Sequence, residues 1–471
     1  MIKLLSELSE IGKRGYQLPH SDVPSFPLLP ATLRKTEPLT LPSVSELEVV
    51  RHFTNLADQT YNVDKGMYPL GSCTMKYNPK VNEEIVRNPL LTDIHPLQDV
   101  STVQGALSIF HTLTSRLCSI VGMDEGTLQS AGGAQGEYIG LHIIKSYHMS
   151  RGETNRNVVL IPTNAHGTNP ASAAFCNMDV KEIPVNEHGL VDVASLSNLV
   201  DETTAAIMLT NPNTLGLYED DIAKIASIVH SSGALLYYDG ANLNAIMNIV
   251  KPGEMGFDVL HVNVHKTFST PHGGGGPGAG PVLVKKFLSP FLPSPHIIKD
   301  EKGYRFEHDT PLSIGKTLGF WGNFLVLVRS LSYITHLGDD GIRYAAKIAV
   351  LNANYIKMRI RDYIPLSHEG HNLHEIVLSL KQLKDTTHTN AFDVAKALID
   401  KGYHPPTIYF PLIVSEAMML EPTETESMEE IDAFVDALIE NCVLPCFRDW
   451  RSGQIKTLTD IEGVLAQRVK V

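Results

Sequence analysis

Long apolar runs are missing from this chain of 471 residues: nowhere do about eighteen apolar residues follow one another, so no membrane-spanning helix is expected. Cysteine is scarce as well. Five residues, an odd number in so long a chain, do not make a disulfide framework, and a reducing compartment, the cytoplasm by default, is the simpler expectation. Cys442 and Cys446 stand four apart with no second Cys or His pair at ligand spacing nearby, so no metal is expected there. Positive charge is in deficit, 39 Lys and Arg against 52 Asp and Glu, for a formal net charge of -13. That balance argues against nucleic acid or an anionic membrane as a partner, because both require a positive field. The N-terminal MIKLLSELSEIGKRG interrupts its apolar pattern with acidic residues, which reads as a short amphipathic helix and not as a secretory signal.

What remains is an ordinary globular composition, 43% hydrophobic and 19% charged, in a chain too long for one core. Residues 16–45 are rich in proline and read as an extended arm that wraps the body or a neighbouring subunit. A helix is expected at Glu46–Tyr61, followed by the loop KGMYPLGSCTMKYNP. From Gln104 onward apolar runs alternate with amphipathic stretches, the signature of an α/β layer structure. Strands are expected at Val158–Pro162, Val180–Pro184, Ala205–Thr210, Ala234–Tyr238, Val259–Val262 and Pro281–Val284. Most are continuously apolar, as strands covered on both faces are, so a mostly parallel sheet is favoured. Helices are expected at Gly133–His148, Leu196–Val200, Glu219–Ser231 and Gly338–Arg361. Strands near Glu375–Leu380 and Thr407–Phe410, with helices near Ala391–Lys401 and Met428–Asn441, indicate a smaller C-terminal α+β domain. The expected division is 1–100, 101–330 and 331–471.

The segment DVLHVNVHKTFSTPHGGGGPGAG runs a strand into His265, Lys266 and a glycine run. In open α/β sheets ligands bind at the carboxyl ends of strands, and a desolvated lysine there can form an imine with a cofactor aldehyde. Upstream, ALLYYDGAN ends an apolar strand in Asp239, which is costly to bury unless something positive meets it; a protonated pyridine nitrogen would. In TNPNTLG, Asn211 or Asn213 can donate to a ring hydroxyl, although Asn-Pro also simply starts turns. LQSAGGAQGEYIGL offers glycines and a helix start for a phosphate. His166, in the loop after VVLIP, can stack on a ring. Glycine–helix, His, Asn, Asp and Lys fall in the chain order of fold-type I pyridoxal-phosphate enzymes.

The stretches YPLGSCTMKYNP, IHPLQD, SAGGAQGEY, AHGTNPASA, YDGANLNA, HKTFSTPHGGGGPGAGPV, YHPPTIYFPLIV and EPTETES are spread over a span of nearly the whole chain. Through them the chain resembles the P-protein family of the glycine cleavage system, the pyridoxal-phosphate glycine decarboxylases. It looks like the lysine-bearing second half of the single-chain form, made as a separate polypeptide. The resemblance implies a partner, subunit 1, in an (αβ)2 heterotetramer, and transfer of an aminomethyl group from glycine to the lipoyl arm of the H-protein. It implies pyridoxal 5'-phosphate held by Lys266, Asp239, His166, Gly133, Ala134, Gln135, Asn211, Asn213 and Thr267. Lys266, His166 and His272 are the expected catalytic residues, since imidazoles titrate near about 6.5. Ser72, Cys73 and Thr74 of the loop, with His272, are candidates for the glycine carboxylate. In SIGKTLGFWGNF, Lys316 stands where the family usually carries Arg, and the two are not interchangeable at bidentate sites. Two rival readings remain, another fold-type I amino-acid decarboxylase and a non-catalytic binding subunit whose glycine loops are only turns.

Overall fold

The computed structural model describes residues 2–443 apart from 18, 25, 27, 28, 38 and 273–277. The glycine run after His272 and Cys446 therefore lie outside the described residues. No helix among the described residues is long and apolar enough to cross a membrane. The chain divides into two units, Met1–Lys65 and Gly66–Val471. In the first, the expected amphipathic helix shrinks to one turn, Leu5–Leu8. A longer helix, Glu46–Asp58, starts at a reciprocal cap: the Ser45 hydroxyl accepts from the Glu48 N–H, and the Glu48 carboxylate accepts from the Ser45 N–H.

The second unit is built on a seven-stranded sheet. Its strands are β1 (Glu125–Thr127), β2 (Val158–Pro162), β3 (Asp179–Ile183), β4 (Thr204–Thr210), β5 (Leu235–Gly240), β6 (Val259–Val262) and β7 (Val282–Val284), in the order β1-β7-β6-β5-β4-β2-β3. From β3 to β6 the pairing is parallel, whereas β7 runs antiparallel to both of its neighbours. Alternate residues explain the continuous apolar runs. Leu160, Ile207, Leu236, Tyr238 and Leu260 enter one buried cluster, while Val159, Ile161, Ala206, Met208, Tyr237 and Val259 enter another. Both faces are thus covered, and no polar alternation can show in the sequence.

A hairpin of β8 (His296–Asp300) and β9 (Gly303–Glu307), which sequence pattern did not announce, follows the large sheet. The helix Phe324–Ile360 then begins well before the expected start at Gly338, where a non-helical φ of 62° breaks it. Its first half, FLVLVRSLSYITHL, is too evenly apolar to display a helical period. Its last turns, through Ile356 and Ile360, pack into a separate core with β10 (Ile376–Ser379), β11 (Thr407–Ile408) and β12 (Ala417–Leu420), an antiparallel sheet of order β10-β12-β11. The expected C-terminal helices are found at Ala391–Asp400 and Met428–Val443.

Candidate active site

The helix Gly133–Ser150 lies across the large sheet with a glycine face. A Cβ at Gly136 would stand 2.8 Å from the Cβ of His261, and one at Gly140 would stand 2.3 Å from Cε2 of Tyr237. Close approach is what brings the helix N-terminus, at Gly133, Ala134 and Gln135, down to the strand ends. Backbone N–H groups there, with the positive end of the helix dipole, favour an anion. Gln135 also secures its own loop, accepting from the Ala131 N–H at 2.7 Å and donating to the Thr317 carbonyl at 2.8 Å.

Asp239 occupies the penultimate position of β5 and is 3% exposed. Burial by itself would raise its carboxyl, but His261, Asn169, the Ala241 N–H and Lys266 together hold it below the ordinary value. The Asn169 side chain donates to Oδ2 at 2.8 Å, the Ala241 N–H donates to Oδ1 at 3.0 Å, and His261 Nε2 lies 3.3 Å from Oδ1. Beside it, burial and the charge on Asp239 push Glu137 up to about 7, although the hydroxyls of Thr168 and Ser172 donate to its two oxygens. One carboxylate is kept ionised there while its neighbour is raised.

Lys266 is not at the end of β6 itself but in the one-turn helix Val264–Thr267 that follows. Its Nζ is turned inward, partly buried, and donates to the Ser72 carbonyl at 2.8 Å. Ser72 has a φ of 65°, and its N–H donates to Glu375 Oε2 at 3.0 Å. The loop that carries Ser72, Cys73 and Thr74 is therefore drawn to the lysine. It is also pinned to the small sheet, because the Gly71 N–H donates to the Met419 carbonyl and the Thr407 hydroxyl donates to the Gly71 carbonyl. Cys73 Sγ lies 3.4 Å from His272 Nε2, and Thr74 is buried. Burial, with Lys266 nearby, presses His272 down to about 4, so that imidazole is neutral near pH 7; burial pushes the Cys73 thiol up. His166 is likewise lowered, by burial first, and its Nδ1 sits 3.0 Å from the Thr168 hydroxyl.

Of the two expected donors, Asn213 is spent elsewhere, while Asn211 meets only a weak sulfur acceptor. Asn211 accepts from the Glu219 N–H through its side chain, and its amide nitrogen faces Met255 Sδ at 4.0 Å. Asn213 folds its own turn, accepting from the N–H groups of Leu215 and Leu217 and donating to the Gly189 carbonyl. Asn-Pro here organises a turn, the alternative the sequence left open. In contrast, Thr267 Oγ1, Thr270 Oγ1 and Asn169 Oδ1 are buried without a hydrogen-bond partner among the described residues. Buried polar atoms of this kind are costly unless something meets them, so the residues present fit a polar, anionic, cationic-ringed cofactor such as pyridoxal phosphate.

Asn169, His261 and Glu137 escaped the sequence reading. His261, a polar residue inside the apolar run DVLHV, was the one available signal.

Two family models match the chain: the C-terminal domain of glycine dehydrogenase over residues 345–444, and aminotransferase class-V over residues 139–302. A probable glycine dehydrogenase (decarboxylating) subunit 2 from Pyrococcus abyssi is 56% identical over 440 residues, 92% of this chain and 88% of that protein. This chain belongs to the glycine dehydrogenase (decarboxylating) subunit 2 family. A family member from Bacillus licheniformis is 51% identical, covering 93% of this chain and 90% of that one. Among solved structures, an inhibitor-bound glycine decarboxylase (P-protein) of the glycine cleavage system has the same fold, with a TM-score of 0.73 over 88% of this chain and 93% of that one at 20% identity. The glycine dehydrogenase fold is thus the expected one, a pyridoxal-phosphate fold-type I α/β domain with a smaller C-terminal domain. Lys316 places its Nζ 4.4 Å from the centre of the Trp321 ring, a cation–π contact that does not need a fork of donors.

Proposed function

We propose that this chain is the lysine-bearing subunit of a cytoplasmic glycine-decarboxylating enzyme that passes an aminomethyl group to the lipoyl arm of the H-protein. Subunit 1 completes it as an (αβ)2 heterotetramer. The observation that carries this reading is the buried Asp239 on β5, accepting from Asn169 and the Ala241 N–H, beside the turn that presents Lys266 after β6. Lys266 would hold pyridoxal phosphate through its amine, Asp239 would meet the ring nitrogen, and the N–H groups of Gly133, Ala134 and Gln135 would meet the phosphate, with Thr267 in reach as a hydroxyl donor. When bound, the cofactor supplies an electron sink for the pair released as a carboxylate carbon departs.

The chain's own part is to position and to exclude water. Asp239, kept ionised, favours a protonated ring nitrogen opposite it. His166, neutral, offers a flat aromatic face. Ser72, Cys73, Thr74 and His272 form the wall on which the glycine carboxylate is expected. His272, neutral near pH 7, can hold or accept a proton at Nε2 next to the Cys73 thiol.

Borohydride reduction of the holoenzyme should bleach its visible band and leave the cofactor mass on the peptide containing Lys266. With subunit 1 and lipoylated H-protein present, labelled bicarbonate should exchange into the glycine carboxyl, and Lys266→Ala should abolish exchange while leaving the fold intact. A well-folded complex without exchange, or full activity in Lys266→Ala, refutes the proposal.

A further inference from the structure

The small sheet ends in ionisable side chains that the proposed reaction does not use. Glu375 precedes β10 and Glu421 follows β12, and these strands pair Ile376 with Leu420, so the two carboxyls leave the same end as neighbours. With His374 they bring charge-bearing atoms within 4.8 Å of one another. All three are buried, at 0%, 0% and 1% exposure for His374, Glu375 and Glu421. Glu375 is firmly held: Oε1 accepts from the Asn242 amide at 3.1 Å and Oε2 from the Ser72 N–H at 3.0 Å. Neither ring nitrogen of His374 has a hydrogen-bond partner among the described residues, and Nε2 lies 4.0 Å from Glu421 Oε1.

Charge balance decides what this group does. Lys76, the buried cation on the same loop, is committed to Glu424 at 2.7 Å. Lys266 is the other cation acting on both carboxyls, and Cys73 also faces them. Burial presses His374 down to about 3, so it brings no charge, and burial pushes Glu421 up to about 8 and Glu375 well above its ordinary value. Two carboxylates so close and so deep do not both ionise. Because both oxygens of Glu375 already accept N–H bonds, the proton belongs on Glu421.

We propose that Glu421 holds a proton while Glu375 keeps its charge, and that this single negative charge acts across Ser72 on the amine of Lys266. The left-handed Ser72 makes the connection, its N–H meeting Glu375 and its carbonyl meeting Lys266. Glu375 and Glu421 are positioning residues, and the inference rests on Lys266 being the cofactor lysine.

Infrared difference spectra of the wild-type holoenzyme should show a protonated carboxyl carbonyl at pH 7 that disappears on alkaline titration and is missing in Glu421→Gln. Glu375→Gln should lower the proton affinity of the visible band's titration by about tenfold, one pH unit, because a nearby negative charge is lost. Glu421→Gln should leave that titration unchanged below pH 7 and alter only its alkaline limb. Absence of the carboxyl band in wild type, which needs no variant to fold, overturns the proposal, as does a titration indifferent to both substitutions. Stoichiometric uptake of zinc alone, abolished by either substitution, overturns it in favour of a metal site. A holoenzyme with no visible band defeats the cofactor reading instead, while the infrared band still decides whether Glu421 is protonated.

Discussion

The side-chain amide of Asn169 donates to Asp239 Oδ2 at 2.8 Å, joining the helix Thr168–Phe175 to the strand that carries the buried carboxylate. A hydrogen bond to an ionised group contributes about 1.5–3 kcal/mol, and its loss lets burial raise the carboxyl. Asn169→Ala should therefore release pyridoxal phosphate about 10- to 100-fold more readily, as followed by absorbance during dialysis. Unchanged retention would mean that Asp239 does not hold the cofactor ring.

Lys76 donates to Glu424 at 2.7 Å, to Asn244 at 2.8 Å and to the Tyr333 hydroxyl at 3.3 Å, all in the interior. Removing one member of a buried ion pair strands the other charge, a cost of about 3–5 kcal/mol. Glu424→Ala should lower the denaturant midpoint accordingly, and Lys76→Met placed on top of it should recover much of the loss. Additive losses in the double variant would contradict the pairing.

Gly140 faces the Tyr237 ring, which cannot swing aside because its hydroxyl bonds to the Gly136 carbonyl at 3.2 Å and to His261 Nδ1 at 2.8 Å. Gly140→Val should destabilise the fold near the upper end of the roughly 1–3 kcal/mol typical of overpacking, and should weaken cofactor binding by lifting the helix N-terminus. A variant as stable as wild type in calorimetry would show that the helix can withdraw freely.

His272 is pressed to about 4 by burial, against an ordinary value near 6.5. In the window between those values the unfolded chain binds more protons than the folded one, so this group subtracts stability as pH falls through it. Replacing it by Gln removes that contribution. The melting-temperature difference between wild type and His272→Gln should therefore shift in favour of the variant from pH 6.5 down to 4. A constant difference across that range would mean that folding leaves the proton affinity of His272 unchanged.

Much of the large domain was legible locally. Strands β2 and β6 match their expected ranges, and the order glycine turn, His166, Asp239, Lys266 follows from punctuation at strand ends, because apolar runs and glycines report burial and turns within a few residues. Partnership is another matter. Asn213 carries the right chemistry, but the structure spends its amide on the Gly189 carbonyl and its oxygen on its own turn. Ser72 meets Glu375 across 303 positions of chain, and the antiparallel register of β10 and β12 is what sets Glu375 beside Glu421. Residue type alone determined which groups could ionise or bond. Only folding decided which of them share a low-dielectric interior, since that depends on distances that no local pattern encodes.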